Sequence, residues 1–361
     1  MTYKTVCLTP AQPRAETTTQ PARSVLVIYT GGTFGMVYDP KASQLIPFDF
    51  EQVLDRLPEL SRLDFNITIT TLNEIIDSSN MTPAIWVELG KLIQKNYSSY
   101  DSFVILHGTD TMAYTASALS FMLSGLNKPI ILTGAQLPIG VARSDARENF
   151  ITALEIAAAR EGDQPIVPEV CVYFNSLLLR GNRSTKQESV QFNAFASENY
   201  PHLANAGVSI DYNRPYIRPV QPTATLALQT EIDTNVAILK LFPGITSAVV
   251  GAVLNTPGLR GLVLETYGAG NAPTDTWFLD LLKVAIDRGL VIYNVSQCEG
   301  GRVTQGHYQT SKRMAEIGVV SGADSTTEAA ITKLMVLLGR ETDPARVRAL
   351  LGIPLCGEMT V

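Results

Sequence analysis

From Val25 onward the chain repeats one arrangement: a short run of β-branched and aliphatic residues, a glycine-containing turn, then a stretch in which apolar residues recur about every 3.6 positions. The runs at 25–29, 67–72, 103–107, 130–133 and 170–174 are continuously apolar, as strands are in a sheet covered on both faces. Pro83 suits the first turn of a helix, and Trp86, Leu89, Leu92 and Ile93 follow at helical spacing before Tyr97. A second helix follows Thr109-Asp110, with Met112, Ala116, Leu119 and Leu123 on one stripe and a stop at Ser124-Gly125. A third spans 144–160. Beyond residue 234 the same alternation predicts strands at 236–242, 262–266 and 290–295, and helices at 277–288, 326–338 and 344–351. The expected fold is α/β with two α/β domains, a larger N-terminal domain with a mostly parallel sheet and a smaller C-terminal α/β domain.

Two domains also suit a chain of 361 residues at about 150 residues per domain. Residues 1–23, rich in Thr, Pro, Gln and Ala without periodicity, read as a flexible N-terminal tail. The N-terminal domain is expected at 24–210. A linker is expected at 211–233, which holds Pro215, Pro219 and Pro222 and no long periodic run, and the C-terminal domain at 234–361. A composition 45% hydrophobic and 17% charged excludes a disordered chain. Lys and Arg number 28 against 34 Asp and Glu, a net charge of −6, so no basic field is present for nucleic acid or anionic lipid, and neither is an expected partner. No stretch approaches the roughly 18 consecutive apolar residues of a spanning helix, and the N-terminus lacks a secretory core of about 7 to 15. Cys7, Cys171, Cys298 and Cys356 lie far apart without CxxC spacing, which predicts no disulfide framework, no metal site and a reducing cytoplasm.

Chemistry concentrates where the first strands end. Residues 25–29 run into Thr30-Gly31-Gly32-Thr33, residues 103–107 into Gly108-Thr109-Asp110-Thr111, and residues 130–133 into Gly134-Ala135-Gln136. Ligands of open α/β sheets bind outside the carboxyl ends of strands, so the three turns are expected to line one crevice. Two glycines before Thr33 allow a tight turn with uncovered N–H groups, suited to an anion or a developing oxyanion; a plain strand-to-loop turn explains them as well. The ending of a phosphate loop is missing. Thr109 or Asp110 also reads as an ordinary cap of the helix that follows, and His107 as a strand-end histidine with a satisfied ring. Gly268-Ala269-Gly270 begins like a dinucleotide fingerprint, but its sixth position is Pro273. Lys186, in the polar run 184–188, reads by itself as a solvated lysine.

Five segments together carry a resemblance: YTGGTFGM at 29–36, DSSNMTP at 77–83, HGTDTMAYTASALSFML at 107–123, RGNRSTK at 180–186 and YGAGNAP at 267–273. The chain resembles the bacterial-type L-asparaginases, most closely their cytoplasmic type I branch, from Val25 to the C-terminal helices. The resemblance implies hydrolysis of L-asparagine to L-aspartate and ammonia without metal or organic cofactor. It also implies relatives that accept L-glutamine or serve within an amidotransferase. Carried over, Thr33 resembles the nucleophile, and Thr109, Asp110 and Lys186 the group in which lysine and carboxylate poise a second threonine. Ser78 and Ser79 resemble substrate carboxylate contacts, Asp110 the holder of the substrate ammonium, and Gly32 a neighbour of the substrate. Asn271 resembles a residue supplied by an adjoining subunit, so a homodimer or homotetramer is implied.

Two positions depart from that pattern. Where many relatives carry a tyrosine before Ile46-Pro47, this chain has Leu45, with Tyr38 nearer Thr33; where some type I enzymes carry an arginine at a second asparagine site, it has Glu265. A threonine hydroxyl needs a base or polarising cation to become a nucleophile, and a lysine amine held from water supplies one. Two other readings remain beside the hydrolase: the amidohydrolase component of a tRNA-dependent amidotransferase, and an amino-acid-binding module without turnover.

Overall fold

The structure is a computed structural model that describes residues 3–8, 23–39, 44–47, 57–72, 74–306 and 309–360. It divides into two units, Met1–Ser197 with Pro201–Leu228, and Glu198–Tyr200 with Gln229–Val361.

The N-terminal unit is built on a nine-stranded sheet. In chain order its strands are β1 (Tyr3–Leu8), β2 (Ser24–Tyr29), β3 (Asn66–Leu72), β4 (Ser102–Leu106), β5 (Ile130–Thr133), β6 (Val170–Phe174), β7 (Leu177–Arg180), β8 (Ala204–Ala206) and β9 (Ile210–Tyr212). They lie in the order β1-β3-β2-β4-β5-β6-β7-β8-β9. The central five run parallel, with Val25 opposite both Ile67 and Ser102, and Ile130 opposite both Phe103 and Val170. Parallel neighbours bring the carboxyl ends of β2, β4 and β5 to one edge, where the sequence places its threonine turns.

The helices of this unit explain the continuous apolar runs. Leu26, Ile28, Phe103, Ile105, Ile130 and Leu132 share a core with Leu89, Leu92 and Ile93 of α1 (Pro83–Asn96) and with Ala113, Ala116 and Leu119 of α2 (Met112–Met122). Helix α2 is buried nearly all round, as its small and apolar residues allow. Helix α3 (Ala146–Ala158) serves strand residues of the opposite pleat: its Glu148 accepts a hydrogen bond from Tyr173 Oη at 2.8 Å, and Asn149 Nδ2 donates to Gly134 O at 3.1 Å.

The C-terminal unit has a four-stranded parallel sheet, β10 (Val236–Lys240), β11 (Gly261–Thr266), β12 (Val291–Ser296) and β13 (Val320–Ser321), in that order. Helices α4 (Ser247–Leu254), α5 (Thr276–Asp287), α6 (Gln309–Glu316), α7 (Thr327–Arg340) and α8 (Pro344–Leu351) accompany it. Its core joins Leu262, Leu264 and Ile292 to Phe278 and Leu282. The predicted fold class, a larger mostly parallel α/β unit and a smaller α/β unit, is the one observed.

Two expectations change. Tyr3–Leu8 is a strand, not a flexible tail: it runs antiparallel to β3 from Tyr3 opposite Leu72 to Leu8 opposite Ile67, and the Thr5 and Thr70 hydroxyls lie 3.0 Å apart. Of the rest of that tail, residues 1–2 and 9–22 lie outside the described residues. Residues 211–228, expected in a linker, belong to the N-terminal unit. Their prolines give up ladder hydrogen bonds, and side chains from older parts of the unit supply partners instead. Arg218 N donates to Glu169 Oε1 at 2.6 Å, Gln221 N donates to Asn127 Oδ1 at 2.7 Å, and Ala227–Leu228 pairs with Leu123–Ser124.

Candidate active site

Three strand-end segments meet at the carboxyl edge of the N-terminal sheet. Thr30 donates from both its N–H and its hydroxyl to Leu106 O, at 3.0 and 2.9 Å, which ties the exit of β2 to the exit of β4. Gly31 and Gly32 follow with φ of 132° and 86°, a region that glycine enters at little cost. Ile76 N donates to Thr30 O at 2.8 Å, and a Cβ on Gly31 would run into the Ile76 carbonyl. A Cβ on Gly32 would lie 2.5 Å from both Cα and N of Gly108, and one on Gly108 would lie 2.5 Å from Ser78 Oγ. Segments 30–33, 76–78 and 107–109 therefore touch backbone to backbone, and Thr111 Oγ1 adds a hydrogen bond to Ser78 O at 2.7 Å.

Thr33 opens a short 3-10 turn, Thr33–Gly35, at the end of this contact. Phe34 anchors the turn by meeting Phe150 of α3 edge-on, with ring centroids 5.4 Å apart and planes at 76°. Among the described residues the Thr33 hydroxyl has no hydrogen-bond partner.

Thr109 and Asp110 do not cap α2. The residue preceding the helix is Thr111, and its side chain makes no capping bond; the hydroxyl serves Ser78 O instead. Lys186 Nζ donates to Thr109 Oγ1 at 2.8 Å and to Asp110 Oδ1 at 2.7 Å. The Thr109 hydroxyl in turn donates to Gln136 Oε1 at 3.3 Å. The Lys186 side chain is 17% exposed and that of Asp110 64%, so the carboxylate stays open to solvent on its far side. Lys186 rides on a two-residue ribbon, Thr185–Lys186 paired with Phe195–Ala196. The ribbon starts a short step after β7, whose Arg180 is buried in an ion pair with Glu169 at 2.7 Å.

Gln136 is fixed from behind. Its N–H and that of Leu137 donate to the Asp145 carboxylate at 3.0 to 3.1 Å, and Gln136 Nε2 donates to Gln191 O at 2.9 Å. The sequence marks Gln136 only as the end of a strand-to-turn run, and neither periodicity nor charge distinguishes it from a turn residue. His107 has the satisfied ring expected of it: Nδ1 donates to Gly108 O at 2.7 Å, and Nε2 lies 2.9 Å from Thr115 Oγ1. Burial pushes its pKa down to about 4, against a smaller upward pull from the Gly108 hydrogen bond.

Of the remaining residues singled out in the sequence, Ser78 is buried at the three-way contact, and Ser79 is exposed beside it with its N–H donating to Asp77 Oδ1 at 3.0 Å. Tyr38 and Leu45 face one another in the register of the antiparallel pair Met36–Asp39 and Gln44–Pro47. Asn271 belongs to the C-terminal unit, where it bridges to Tyr267 in a tight turn, with Asn271 N donating to Tyr267 O at 2.8 Å. Glu265, at the end of β11, is nearly buried and accepts from Thr327 Oγ1 at 2.7 Å.

Two α/β units, with a threonine turn at the ends of two central strands and a lysine from a separate ribbon bonded to the threonine and carboxylate of one turn, define a narrow class of protein. The chain belongs to the asparaginase family: residues 24–218 match the model described as Asparaginase, N-terminal, and residues 235–351 that of the Glutaminase/Asparaginase C-terminal domain. Among its relatives, L-asparaginase 1 of Escherichia coli strain K12 is 42% identical over 341 residues, which is 94% of this chain and 98% of the relative. The 60 kDa lysophospholipase of Homo sapiens is 42% identical over 364 residues, 94% of this chain but 62% of that protein. The crystal structure of L-asparaginase I from Vibrio cholerae O1 biovar eltor superposes with a TM-score of 0.86 at 38% identity, covering 94% of this chain and 100% of that one.

Proposed function

We propose that the chain is an L-asparagine amidohydrolase that releases L-aspartate and ammonia. The observation that carries this reading is the Lys186 ammonium held on both Thr109 and Asp110 beside the Gly32 turn, in a member of the asparaginase family. Thr33 attacks the side-chain amide carbon of the substrate, and N–H groups of the glycine turns stabilise the oxyanion that forms. The tetrahedral species collapses by losing ammonia, the nitrogen taking up the proton that the threonine hydroxyl gave up, and leaves an acyl-enzyme. Water adds to that ester beside Thr109, which the Lys186 ammonium polarises, and its proton passes through the Thr109 hydroxyl to the departing Thr33 oxygen, so that aspartate leaves and Thr33 regains its hydrogen. Asp110, open to solvent on one side, suits the substrate ammonium. Ser78 and Ser79 suit its carboxylate, and Asn271 suits the residue that an adjoining subunit supplies.

The same reading makes the protein cytoplasmic and a homodimer or homotetramer. All four cysteines are free, which supports a reducing compartment. Phe242 and Val284 are about half exposed and lie in shallow grooves that share Trp277, an apolar surface of the kind subunits cover.

The test is ammonia release from L-asparagine and L-glutamine by the purified protein, with Thr33→Ala and Lys186→Ala alongside. Asparagine turnover is expected to fall at least about 10³-fold in each variant with the fold intact. Near-normal turnover in both would overturn the mechanism. The two substrates differ by one methylene, worth about 1 to 3 kcal/mol of discrimination.

A further inference from the structure

His107 immediately precedes the glycine that Gly32 touches, and its ring is sealed in at 1% exposure. Its neighbours dictate where its hydrogens are. Gly108 O can only accept, so Nδ1, 2.7 Å away, carries the proton. Nε2 is then the bare nitrogen and accepts from the Thr115 hydroxyl at 2.9 Å. That hydroxyl itself accepts from Trp86 Nε1 at 3.0 Å. An indole N–H is only a donor, so the whole relay has one polarity. It runs from Trp86 of α1 through Thr115 of α2 and His107 to the Gly108 carbonyl.

The receiving carbonyl shares a planar peptide with Thr109 N–H. No peptide bond among the described residues is cis, and in a trans peptide the C=O and N–H point opposite ways. A carbonyl turned toward the buried ring turns the Thr109 N–H away from it. Among the described residues that N–H has no hydrogen-bond partner, and it belongs to the residue whose hydroxyl Lys186 holds.

We propose that His107 is a positioning residue: together with Thr115 and Trp86 it locks the peptide joining Gly108 to Thr109, so that Thr109 N–H stands ready to donate to the oxygen that gains charge during the reaction. The identity of that oxygen, the carbonyl oxygen of the amide under attack, rests on the amidohydrolase reading. The lock itself does not. His107 exchanges no proton in the reaction, and its ring keeps a single neutral tautomer.

Two measurements separate these claims. Nitrogen-15 NMR of the imidazole is expected to show Nδ1 protonated and Nε2 bare, unchanged from about pH 5.5 to 9. A proton on Nε2, or an ionised ring in that range, overturns the proposal whether or not the protein turns over asparagine. A wild type that releases no ammonia from asparagine would instead remove the amidohydrolase reading, with the lock still judged by the ring nitrogens. The kinetic arm uses side chains that replace one nitrogen at a time. His107→Asn keeps an N–H near the Nδ1 position, His107→Gln reaches the Nε2 position only, and His107→Leu has neither. In the Leu and Gln variants kcat is expected to fall about 10- to 10²-fold, with KM within about threefold, because a preset donor is lost from the transition state. His107→Asn recovers most of that loss, and Thr115→Val shows a smaller loss of the same kind. Unchanged kcat in the folded variants, a loss confined to KM, or an Asn variant no better than Leu overturns the lock. If His107→Leu does not fold, His107→Asn and Thr115→Val decide the outcome.

Discussion

Lys186 Nζ reaches Thr109 and Asp110 because Gln136, on a third strand end, takes the hydrogen of the Thr109 hydroxyl and leaves its lone pairs facing the ammonium. The residues that do not touch this couple are as particular. His107 is neutral because burial pushes its pKa down to about 4, whereas an unfolded histidine titrates near 6.5. Between those values the unfolded chain binds the extra proton. Stability therefore falls as the pH drops from about 6.5 toward 4, by about 3 kcal/mol for this residue, and is unaffected by it above about pH 7. Thermal unfolding of wild type and His107→Asn across that range is the check. The wild type should lose stability more steeply on acidification, and parallel curves would contradict the assignment.

At the scale of elements, the turns between them carry the site and the strands aim it. Gly32→Ala is expected to lower both stability and turnover. The residue sits at φ 86°, and its new Cβ would fall 2.5 Å from Gly108 backbone atoms, so strain and displacement together should cost about 2 kcal/mol or more. Urea unfolding and ammonia release by the variant measure the two effects, and an unchanged midpoint would mean that the backbones have room to part. Elements with strong apolar periodicity were legible in the sequence: β2, β4, β5 and β6, with α1, α2 and α3, fall close to their expected bounds. Tyr3–Leu8 was hidden because Lys4 and Thr5 break its apolar run and it earns its place from the edge it meets, and 211–228 because its partners are side chains distant in sequence. Helices α4 and α6 were not anticipated. In the site, Thr33, Thr109, Asp110 and Lys186 stood out through glycine turns and a family pattern. Gln136, Thr115 and Trp86 did not, because a turn residue and two helix residues in apolar surroundings look like scaffold until their hydrogen bonds are seen.

Across the molecule each unit ties in a terminal segment of its own, one through a buried ion pair and the other through an edge strand. In the C-terminal unit Lys333, wholly buried on α7, pairs with Glu358 at 2.7 Å and donates to Leu351 O and Ile353 O at 2.9 and 2.7 Å. Burial works against the Glu358 carboxylate, but the Lys333 ammonium and the N–H groups of Cys356 and Leu355 outweigh it and hold the group below the usual carboxylate range. Lys333→Met strands that carboxylate and should cost about 3 to 5 kcal/mol, while Lys333→Met combined with Glu358→Leu should cost far less. Equilibrium denaturation of the single and double variants tests this, and additive losses would refute a coupled pair. In the N-terminal unit the corresponding boundary is the strand Tyr3–Leu8, which occupies the outer ladder of β3 and presents exposed Lys4 on its own length. A chain begun at Ser24 would keep every residue of the site and still leave the β-rich run Asn66–Leu72 with bare amides along one side, a template on which copies can stack. What the first strand safeguards is solubility at high concentration, a property that no assay of turnover would reveal.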